Sequence, residues 1–369
     1  MSYQNWVVIM GRRDTPTDGV EDYCQHLGNA LERECIKLEL LRVPWLEQGW
    51  IRSLRWLGKR LTENDAATAL VQYTSLGWSR WGFSVGVLLV VKTLRRRGLR
   101  VVVVFHDIRP FSGTRFRDRI RRRFQVWVML RLAYSSAQSV SALPSDRLDW
   151  VRPESLRDKF IMIPIGSNVP ECLRKDCHST TNTPTIAVFT VTERREEEAL
   201  CLGEIAKQTA LQVGPLRLIV MGRGALEVQP MLKDSLKGTG VELVVQGILS
   251  PEEVSDMFCH SDLQLYIRSG VSPRRGSVIA GICSGLPVVG WVSDETTFPV
   301  TEAGIRTVPF GDIERLVREI AEILTNDALR ASLRERSRSA AERLFRWEAI
   351  AERYCLALCQ GPPAGSGHT

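Results

Sequence analysis

The sequence predicts an α/β protein made of two doubly wound domains. Short apolar runs rich in β-branched residues recur along most of the chain, and two of them are followed directly by glycine. Segments with helical apolar spacing separate them, and this alternation predicts parallel sheets covered by helices on both faces. A length of 369 residues is enough for two domains of ordinary size, each with its own core.

Composition excludes several classes of protein. A hydrophobic content of 44% and a charged content of 25% are typical of a globular chain and not of a disordered or fibrous one. The formal charge of +7 predicts anionic partners, which include nucleotides, phospholipid head groups and nucleic acid. Residues 1–6 lack the pattern of a signal peptide, and the longest apolar run, residues 85–91, is too short to span a membrane. Nine scattered cysteines without a C-x-x-C pair predict a reduced, cytoplasmic compartment.

The first domain is predicted at residues 1–170. Its strands are expected at residues 6–10, 35–41, 69–73, 101–105 and 138–142, and a short strand precedes the Pro-rich segment that ends at residue 170. The run VVVVF at 101–105 is almost uniformly β-branched, which indicates a central strand of a parallel sheet. Helices are expected at residues 20–33 and 84–97.

Three residues of this domain are candidates for a site. His106 and Asp107 directly follow the predicted central strand, and ligands of open parallel sheets bind outside the carboxyl ends of strands. They are candidate catalytic residues, with a structural hydrogen-bonded pair as the alternative. Gly19 precedes the first helix and is either a turn residue or a point where backbone approaches a phosphate or sugar closely. Neither a Walker loop nor a G-x-G-x-x-G is present.

Residues 115–134 form the most basic part of the chain, with six arginines between Arg115 and Arg123. Apolar residues recur there at helical spacing and predict one apolar helix face, made of Phe116, Ile120, Phe124, Trp127 and Val128. The helix is either a solvated one packed on the sheet or an interfacial one lying on anionic lipid. Nucleic-acid binding is a third interpretation and is disfavoured, because the aromatic residues are expected to face the core instead of stacking on bases.

A polar segment without apolar periodicity, residues 171–184, predicts the linker between the domains. Cys172, Cys177 and His178 lie in it without a fourth ligand, so no metal site is predicted. The second domain is predicted at residues 185–346. For the C-terminal helix at about 347–360, packing back on the first domain is one of the arrangements considered. Residues 361–369 are rich in Gly, Pro and Ser and are expected to be disordered.

The second domain carries a candidate anion site. Strands predicted at 185–189, 216–221, 241–245, 263–267 and 287–291 alternate with helices, and Gly222, Gly224 and Gly247 follow two of them. After the strand at 263–267 stand Ser272, Arg274 and Arg275, and a helix is predicted to open at Gly276 and Ser277. Arginines ahead of a helix start favour an anion, because unpaired backbone N–H groups already attract negative charge there. The alternative is a solvated basic turn.

Nine motifs stand in a consistent order along nearly the whole chain: TDGVEDY at 17–23, HD at 106–107, IPIGSN at 163–168, VMGRG at 220–224, QGILSPEEVSDMF at 246–258, the strand with Asp262, SGLPVVG at 284–290, GIRTVPFGD at 304–312 and FRWEAIAERY at 345–354. Their order and spacing resemble those of GT-B glycosyltransferases of the group 1 (family 4) type. The resemblance implies two Rossmann-like domains facing each other across a cleft, with the acceptor bound on the N-terminal side. It also implies a retaining, metal-independent hexosyl transfer from a nucleoside-diphosphate-sugar, with no other cofactor, to a saccharide or lipid-linked acceptor of polysaccharide or glycolipid synthesis.

The sequence departs from that family at one place. Members usually carry two glutamates, eight residues apart, that contact the donor sugar and ribose, and those positions hold Ser272 and Ala280 here. The segment GVSPRRGS resembles a variant subset with an arginine pair. The basic residues that usually hold the diphosphate are displaced, and Arg194 and Arg195 are the nearest ones.

The hypothesis is that Arg274 and Arg275, with Arg194 and the start of the following helix, neutralise the donor diphosphate. His106 and Asp107 are expected to contact the sugar. The full predicted donor-binding set is Gly19, Arg194, Gly222, Gly224, Gly247, Ser272, Arg274, Arg275, Gly276 and Ser277, with no metal ligand. A second interpretation, based on the missing glutamates, is a catalytically silent homologue that acts as a partner or regulatory subunit. The protein is also predicted to be cytoplasmic and to bind peripherally to an anionic membrane surface through residues 115–134.

Overall fold

The computed structural model describes residues 3–14, 18–63, 65–171, 183–191 and 195–359. The chain divides into two units, one of Met1–Pro164 with Trp347–Thr369 and the other of Ile165–Arg346. Residues 172–182, which make up most of the predicted linker and include Cys172, Cys177 and His178, lie outside the described residues, and so does the predicted tail at 361–369.

Unit 1 contains a six-stranded sheet in which every pair of neighbouring strands is parallel. The strands are β1 (Gln4–Met10), β2 (Ile36–Arg42), β3 (Thr68–Tyr73), β4 (Arg100–Phe105), β5 (Gln138–Ser141) and β6 (Phe160–Met162). The helices between them are α1 (Gly19–Leu31), α2 (Trp45–Arg60), α3 (Gly86–Arg96), α4 (Phe116–Ser135) and α5 (Glu154–Arg157). All of β3 is buried, because helices cover a parallel sheet on both faces.

The strand order in unit 1 is β2-β1-β3-β4-β5-β6. The chain therefore moves outward in one direction from β1 to β2 and in the other direction from β3 onward. The loops that follow β1 and β3 diverge where the order reverses, and open α/β sheets bind ligands at such a point, outside the carboxyl ends of the strands.

Unit 2 contains a second parallel six-stranded sheet, in the order β12-β11-β10-β7-β8-β9. Its order reverses between β7 and β10. The strands are β7 (Thr185–Phe189), β8 (Leu216–Met221), β9 (Val241–Val245), β10 (Leu263–Gly270), β11 (Val288–Trp291) and β12 (Ile305–Val308). The helices are α6 (Arg195–Val213), α7 (Ala225–Ser235), α8 (Pro251–Cys259), α9 (Gly276–Cys283), α10 (Ile313–Thr325) and α11 (Asp327–Ala340), which a π-helical turn, Ala341–Phe345, extends.

The last helix, α12 (Trp347–Cys359), belongs to unit 1 although it follows unit 2 in the chain. The hydroxyl of Tyr354 is 2.8 Å from that of Tyr23 on α1, and both side chains are buried. The indole of Trp347 stacks on His26 with ring centroids 5.4 Å apart. These contacts place α12 against α1, the helix that follows β1.

Helix α4 packs on unit 1 through a face that differs from the predicted one. Its buried residues are Gln125, Val128, Met129, Leu132 and Ala133. Phe116, Ile120 and Trp127 of the predicted apolar face are exposed and Val128 is buried, so that face is not the one that packs on the sheet. At 3.6 residues per turn the two sets lie on opposite sides of the helix, and the sequence carries apolar residues on both. The argument against nucleic-acid binding assumed that these aromatic residues face the core. Phe116 and Trp127 are exposed, so that argument no longer holds.

Among the described residues, no helix combines the length and the apolar character needed to cross a bilayer.

Candidate functional site

His106 lies at the carboxyl edge of the unit 1 sheet, directly after β4. Its Nε2 is 2.7 Å from the side-chain oxygen of Gln72 on β3, and its ring meets Tyr23 edge-on at 5.2 Å. Burial lowers the pKa of His106 to about 4, against the opposing effect of the Asp107 and Asp18 carboxylates. The imidazole is therefore neutral at pH 7. With Nε2–H donating to Gln72, Nδ1 keeps its lone pair as a hydrogen-bond acceptor.

Asp107 connects the loops that follow β3 and β4. One of its carboxylate oxygens accepts hydrogen bonds from the backbone N–H of Ser75 at 2.7 Å and from the Ser75 hydroxyl at 2.9 Å. Two such bonds fix the orientation of the carboxylate and of both loops. Asp107 thus has structural contacts, but they are with Ser75, while His106 is bonded to Gln72.

Asp18 and Gly19 form the start of α1 at the same edge. Asp18 caps the helix by accepting from the N–H groups of Val20 and Glu21 at 3.1 and 3.2 Å, and it pairs with Arg42 at 3.0 Å. A Cβ atom built on Gly19 meets no described atom within 4 Å. Packing against the described residues therefore does not require glycine here, and the backbone is open to an approaching ligand.

The glycines after β8 and β9 have a packing role in unit 2. Gly222 and Gly224 have φ values of +93° and +82°, in the region that side chains disfavour. A Cβ on Gly224 would lie 1.8 Å from the carbonyl oxygen of Val191, and one on Gly247 would lie 3.0 Å from Leu226. The Gly222 N–H donates to the Gly247 carbonyl at 2.8 Å. The fold itself accounts for these three glycines, and their contact with a ligand stays a prediction.

Arg274 forms an ion pair with Glu295 inside unit 2. Its Nε and Nη2 donate to the two oxygens of Glu295 at 2.7 and 3.0 Å. Glu295 is only 7% exposed. Bidentate pairing of this kind fixes both side chains and compensates the arginine charge.

Arg275 is placed differently. It is the last residue before α9, and its buried Nε has no hydrogen-bond partner among the described residues. Burial lowers the pKa of its guanidinium; the charges of Arg274 and Arg268 act in the same direction, whereas Tyr266 and Glu295 act in the opposite one. An uncompensated cation therefore stands at a helix N-terminus, where backbone N–H groups also favour an anion.

The neighbouring predicted residues occupy distinct positions. Ser272 is fully buried, and its hydroxyl accepts from the Arg274 N–H at 3.4 Å, so it shapes the turn. Gly276 is exposed at the start of α9 and Ser277 is half-buried beside it. Arg194 lies outside the described residues. Arg195 pairs with Glu227 at 3.1 Å.

Two residues of the site were missed at the sequence level. Gln72 is a fully buried polar residue of β3, and an amide in the otherwise apolar run TALVQY was the available signal. Glu295 is twenty-one residues from Arg274 in sequence, and nothing in the spacing connects them. Next to this region, where the strand order of unit 2 reverses, a small pocket of about 10 Å³ is lined in part by Thr190, Tyr266 and Arg268.

No group of three or more His, Cys, Asp or Glu side chains among the described residues could hold a metal ion.

No protein-family model matches this chain, and no curated protein matches it by sequence. Solved structures do. HepE from Anabaena, in complex with UDP and glucose, is 13% identical with a TM-score of 0.66, over 97% of this chain and 100% of HepE. Sucrose-phosphate synthase from Thermosynechococcus elongatus is 16% identical with a TM-score of 0.65, over 96% of this chain and 98% of that one. A putative UDP-N-acetylglucosamine 2-epimerase from Listeria monocytogenes is 13% identical with a TM-score of 0.63, over 97% of this chain and 96% of that one.

These likenesses establish that the chain has the GT-B fold, with two Rossmann-like domains. Because the same fold is found in a protein described as an epimerase, the reaction has to be argued from the residues of this chain.

Proposed function

We propose that the protein is a glycosyltransferase that moves a hexosyl group from a nucleoside-diphosphate-sugar to an acceptor of polysaccharide or glycolipid synthesis. The observation that supports it most directly is Arg275, a half-buried guanidinium without a described partner at the start of α9. It follows β10, next to the point where the strand order of unit 2 reverses. UDP and glucose in the HepE structure support the donor class.

The proposed role of Arg275 is to stabilise the leaving group. When the bond between the sugar and the diphosphate breaks, negative charge develops on the departing phosphate oxygen. A fixed guanidinium and a helix N-terminus stabilise that charge most where water is excluded. Arg274 and Arg275 give two positive charges against the carboxylate of Glu295, which leaves a net +1 at the start of α9.

Arg274 is a positioning residue in this proposal and not a direct donor contact. Its guanidinium is held by Glu295, and it fixes the backbone that presents Arg275. This differs from the expectation that both arginines bind the diphosphate. Gly276 and Ser277 remain proposed donor contacts through the first turn of α9.

In unit 1, His106 is the proposed contact for the transferred sugar. A neutral imidazole with a free Nδ1 lone pair accepts a hydrogen bond from a sugar hydroxyl without adding charge. Gly19 leaves the backbone open beside it, and Asp107 keeps the two loops in place. Retention of configuration and independence from metal ions are proposed on the family resemblance.

The test is a thermal-shift panel of UDP, GDP, ADP and dTDP with their common sugar conjugates. A ligand at about 100 times its dissociation constant should stabilise the protein by about 2.7 kcal/mol. Arg275→Ala should abolish that shift, and Arg318→Ala, which removes an exposed arginine of α10, should not. Transfer by the wild type and its loss in His106→Ala would then be measured with the donor so found.

A catalytically silent homologue is the second candidate. It is favoured by Ser272 and Ala280 at the positions of the usual glutamates, both of them buried. No shift with any nucleotide would reject the glycosyltransferase and leave this candidate. Binding without transfer to any acceptor or water would have the same consequence.

We further propose that the protein is cytoplasmic and peripheral on an anionic membrane surface. Phe116 is 75% exposed on α4 and, together with Ile120 and Trp127, forms an apolar stripe on the side opposite the packed face. Arginines flank the stripe, an arrangement typical of interfacial helices. Phe116→Ser with Trp127→Ser should abolish sedimentation with vesicles containing phosphatidylserine. Leu200→Ser with Leu211→Ser, which removes two exposed leucines of α6, should not. Equal binding of the wild type to neutral vesicles would contradict the proposal.

A further inference from the structure

A groove of about 700 Å³ runs beside α4 in unit 1. We call it the α4 groove. One wall is α4 and the other is the segment that leads from β5 to α5. Its lining consists of Pro110, Arg119, Arg122, Arg123, Val126, Leu130, Tyr134, Asp149, Trp150, Arg152 and Pro153.

Positive charge in the α4 groove is uncompensated. Arg119, Arg122, Arg123 and Arg152 line it, and none of the four has an ion-pair partner among the described residues. The acidic lining residue, Asp149, pairs with Arg109 at 2.8 Å. Four guanidinium groups therefore face one groove with their charge available. Guanidinium groups are the side chains best suited to bind phosphate oxygens in pairs.

The rest of the lining is apolar. Val126 and Leu130 are half-buried, and Trp150 is 5% exposed, with its indole N–H donating to the Ile108 carbonyl at 2.9 Å. Tyr134 belongs both to the groove and to the side of α4 that carries Phe116 and Trp127. The apolar surface of the groove is thus continuous with the exposed apolar stripe. A groove for a free inorganic anion would not need this second kind of surface.

The α4 groove also lies near the candidate site of unit 1. Pro110 lines it and is four residues after His106. Four residues span at most about 14 Å even when fully extended, so the backbone of Pro110 is within that distance of the His106 backbone. A sugar attached to a phosphate held in the groove could therefore reach the carboxyl edge of the sheet.

We infer that the α4 groove binds one lipid phosphate or diphosphate. The arginines contact the phosphate oxygens, and Val126, Leu130, Trp150 and Tyr134 contact the first part of the apolar chain. In this role the lipid is the carrier of the acceptor saccharide, an identification that rests on the proposed glycosyl transfer. The binding itself does not depend on transfer.

Isothermal titration calorimetry with the full chain tests the inference, using farnesyl diphosphate, inorganic pyrophosphate and farnesol as probes. Farnesyl diphosphate should bind at least about tenfold more tightly than either of the others, because only it engages both surfaces. Arg122→Ser with Arg123→Ser should weaken its binding by about 30-fold, at about 1 kcal/mol for each arginine near a lipid phosphate. Tyr134→Ser should weaken the binding of farnesyl diphosphate and leave the binding of pyrophosphate unchanged.

Two control variants separate the groove from other basic surfaces. Arg95→Ser with Arg96→Ser removes two exposed arginines from the last turn of α3, so the formal charge falls from +7 to +5 as it does in the groove variant. This control should keep wild-type affinity. Arg275→Ala should also keep it, since the diphosphate of the probe would otherwise be occupying the proposed donor site. Unchanged melting midpoints establish that each variant is folded.

Pyrophosphate binding as tight as that of farnesyl diphosphate in the Arg275→Ala variant, which lacks the proposed donor site, would overturn the inference in favour of a plain anion site. Equal losses of affinity for farnesyl diphosphate in the groove variant and the α3 control would overturn the inference as well. So would displacement of farnesyl diphosphate by a random oligonucleotide present at a lower concentration than the lipid. Lipid binding that disappears only in Arg275→Ala would assign the probe to unit 2 and refute the groove. Because no donor is present in any arm, the result is independent of whether the nucleotide panel succeeds.

Discussion

Replacing Arg274 and Arg275 one at a time is expected to separate stability from ligand binding. The two residues are adjacent in sequence and carry the same charge, yet only Arg274 has a bidentate carboxylate partner. Arg274→Ala should destabilise unit 2, whereas Arg275→Ala should leave its stability nearly unchanged and remove the response to nucleotides.

The expected magnitudes follow from burial. Removing one partner of a buried ion pair costs about 3–5 kcal/mol, and the lower end applies because the Arg274 side chain is still 23% exposed. About 3 kcal/mol corresponds to a fall of roughly 6–12 °C in the melting midpoint of a unit of this size. Arg275→Ala removes a guanidinium whose Nε is buried without a described partner, so the change should be within about 1 kcal/mol of zero.

Differential scanning calorimetry of the full chain measures both effects, with and without the nucleotide that gives the largest shift in the panel. Arg274→Lys keeps the charge but loses the planar fork, and it should recover only part of the lost stability. Glu295→Gln should destabilise in the same direction as Arg274→Ala, and the double variant should cost less than the sum of the two. An Arg274→Ala midpoint within 2 °C of wild type, or an equal fall in Arg275→Ala, would refute the assignment of separate roles.

Three further predictions concern single residues. The pKa of His106 is lowered from 6.5 to about 4, so between these pH values the unfolded chain binds a proton that the folded chain does not. The free energy of unfolding should therefore fall by up to about 3 kcal/mol as the pH drops from 6.5 to 4. In urea unfolding, His106→Asn should flatten that part of the pH profile. Tyr354→Phe leaves the buried Tyr23 hydroxyl without this partner and should destabilise unit 1 by about 1–3 kcal/mol, whereas an unchanged denaturation midpoint would contradict the packing of α12. Gly224→Ala should destabilise unit 2 by at least about 2 kcal/mol because φ is positive and Val191 blocks the new methyl group; a soluble variant with wild-type melting would disprove this.

The sequence predicted the architecture well because periodicity and apolar runs are local signals. The runs at β1, β4, β7 and β8 were found within a few residues of their observed bounds, and two parallel sheets followed from the alternation with helices. Helix α4 shows where such signals fail. Its sequence carries apolar residues on two faces, and periodicity alone does not tell which face packs on the core.

The candidate site was predictable in position and less so in role. His106 lies at a strand end, as the rule for open parallel sheets requires. The difference between Arg274 and Arg275 could not be predicted, because it depends on Glu295, which arrives from the loop after β11. Likewise, Ser272 reads as an ordinary polar loop residue, and only the packing of the turn shows that it is fully buried.

The charge of the loop before α9 explains why the arginine pair changes what this position recognises. Two glutamates, as in the family that the sequence resembles, would bring a charge of −2 and accept hydrogen bonds from sugar hydroxyls. Here the glutamate positions are the neutral Ser272 in the loop and Ala280 inside α9, and two arginines with Glu295 give +1 around the start of the helix. Carboxylates at that point repel a diphosphate and must contact the neutral part of the donor, whereas an uncompensated guanidinium attracts the diphosphate itself. In the proposed function, recognition of the sugar hydroxyls then has to come from groups other than carboxylates at this helix.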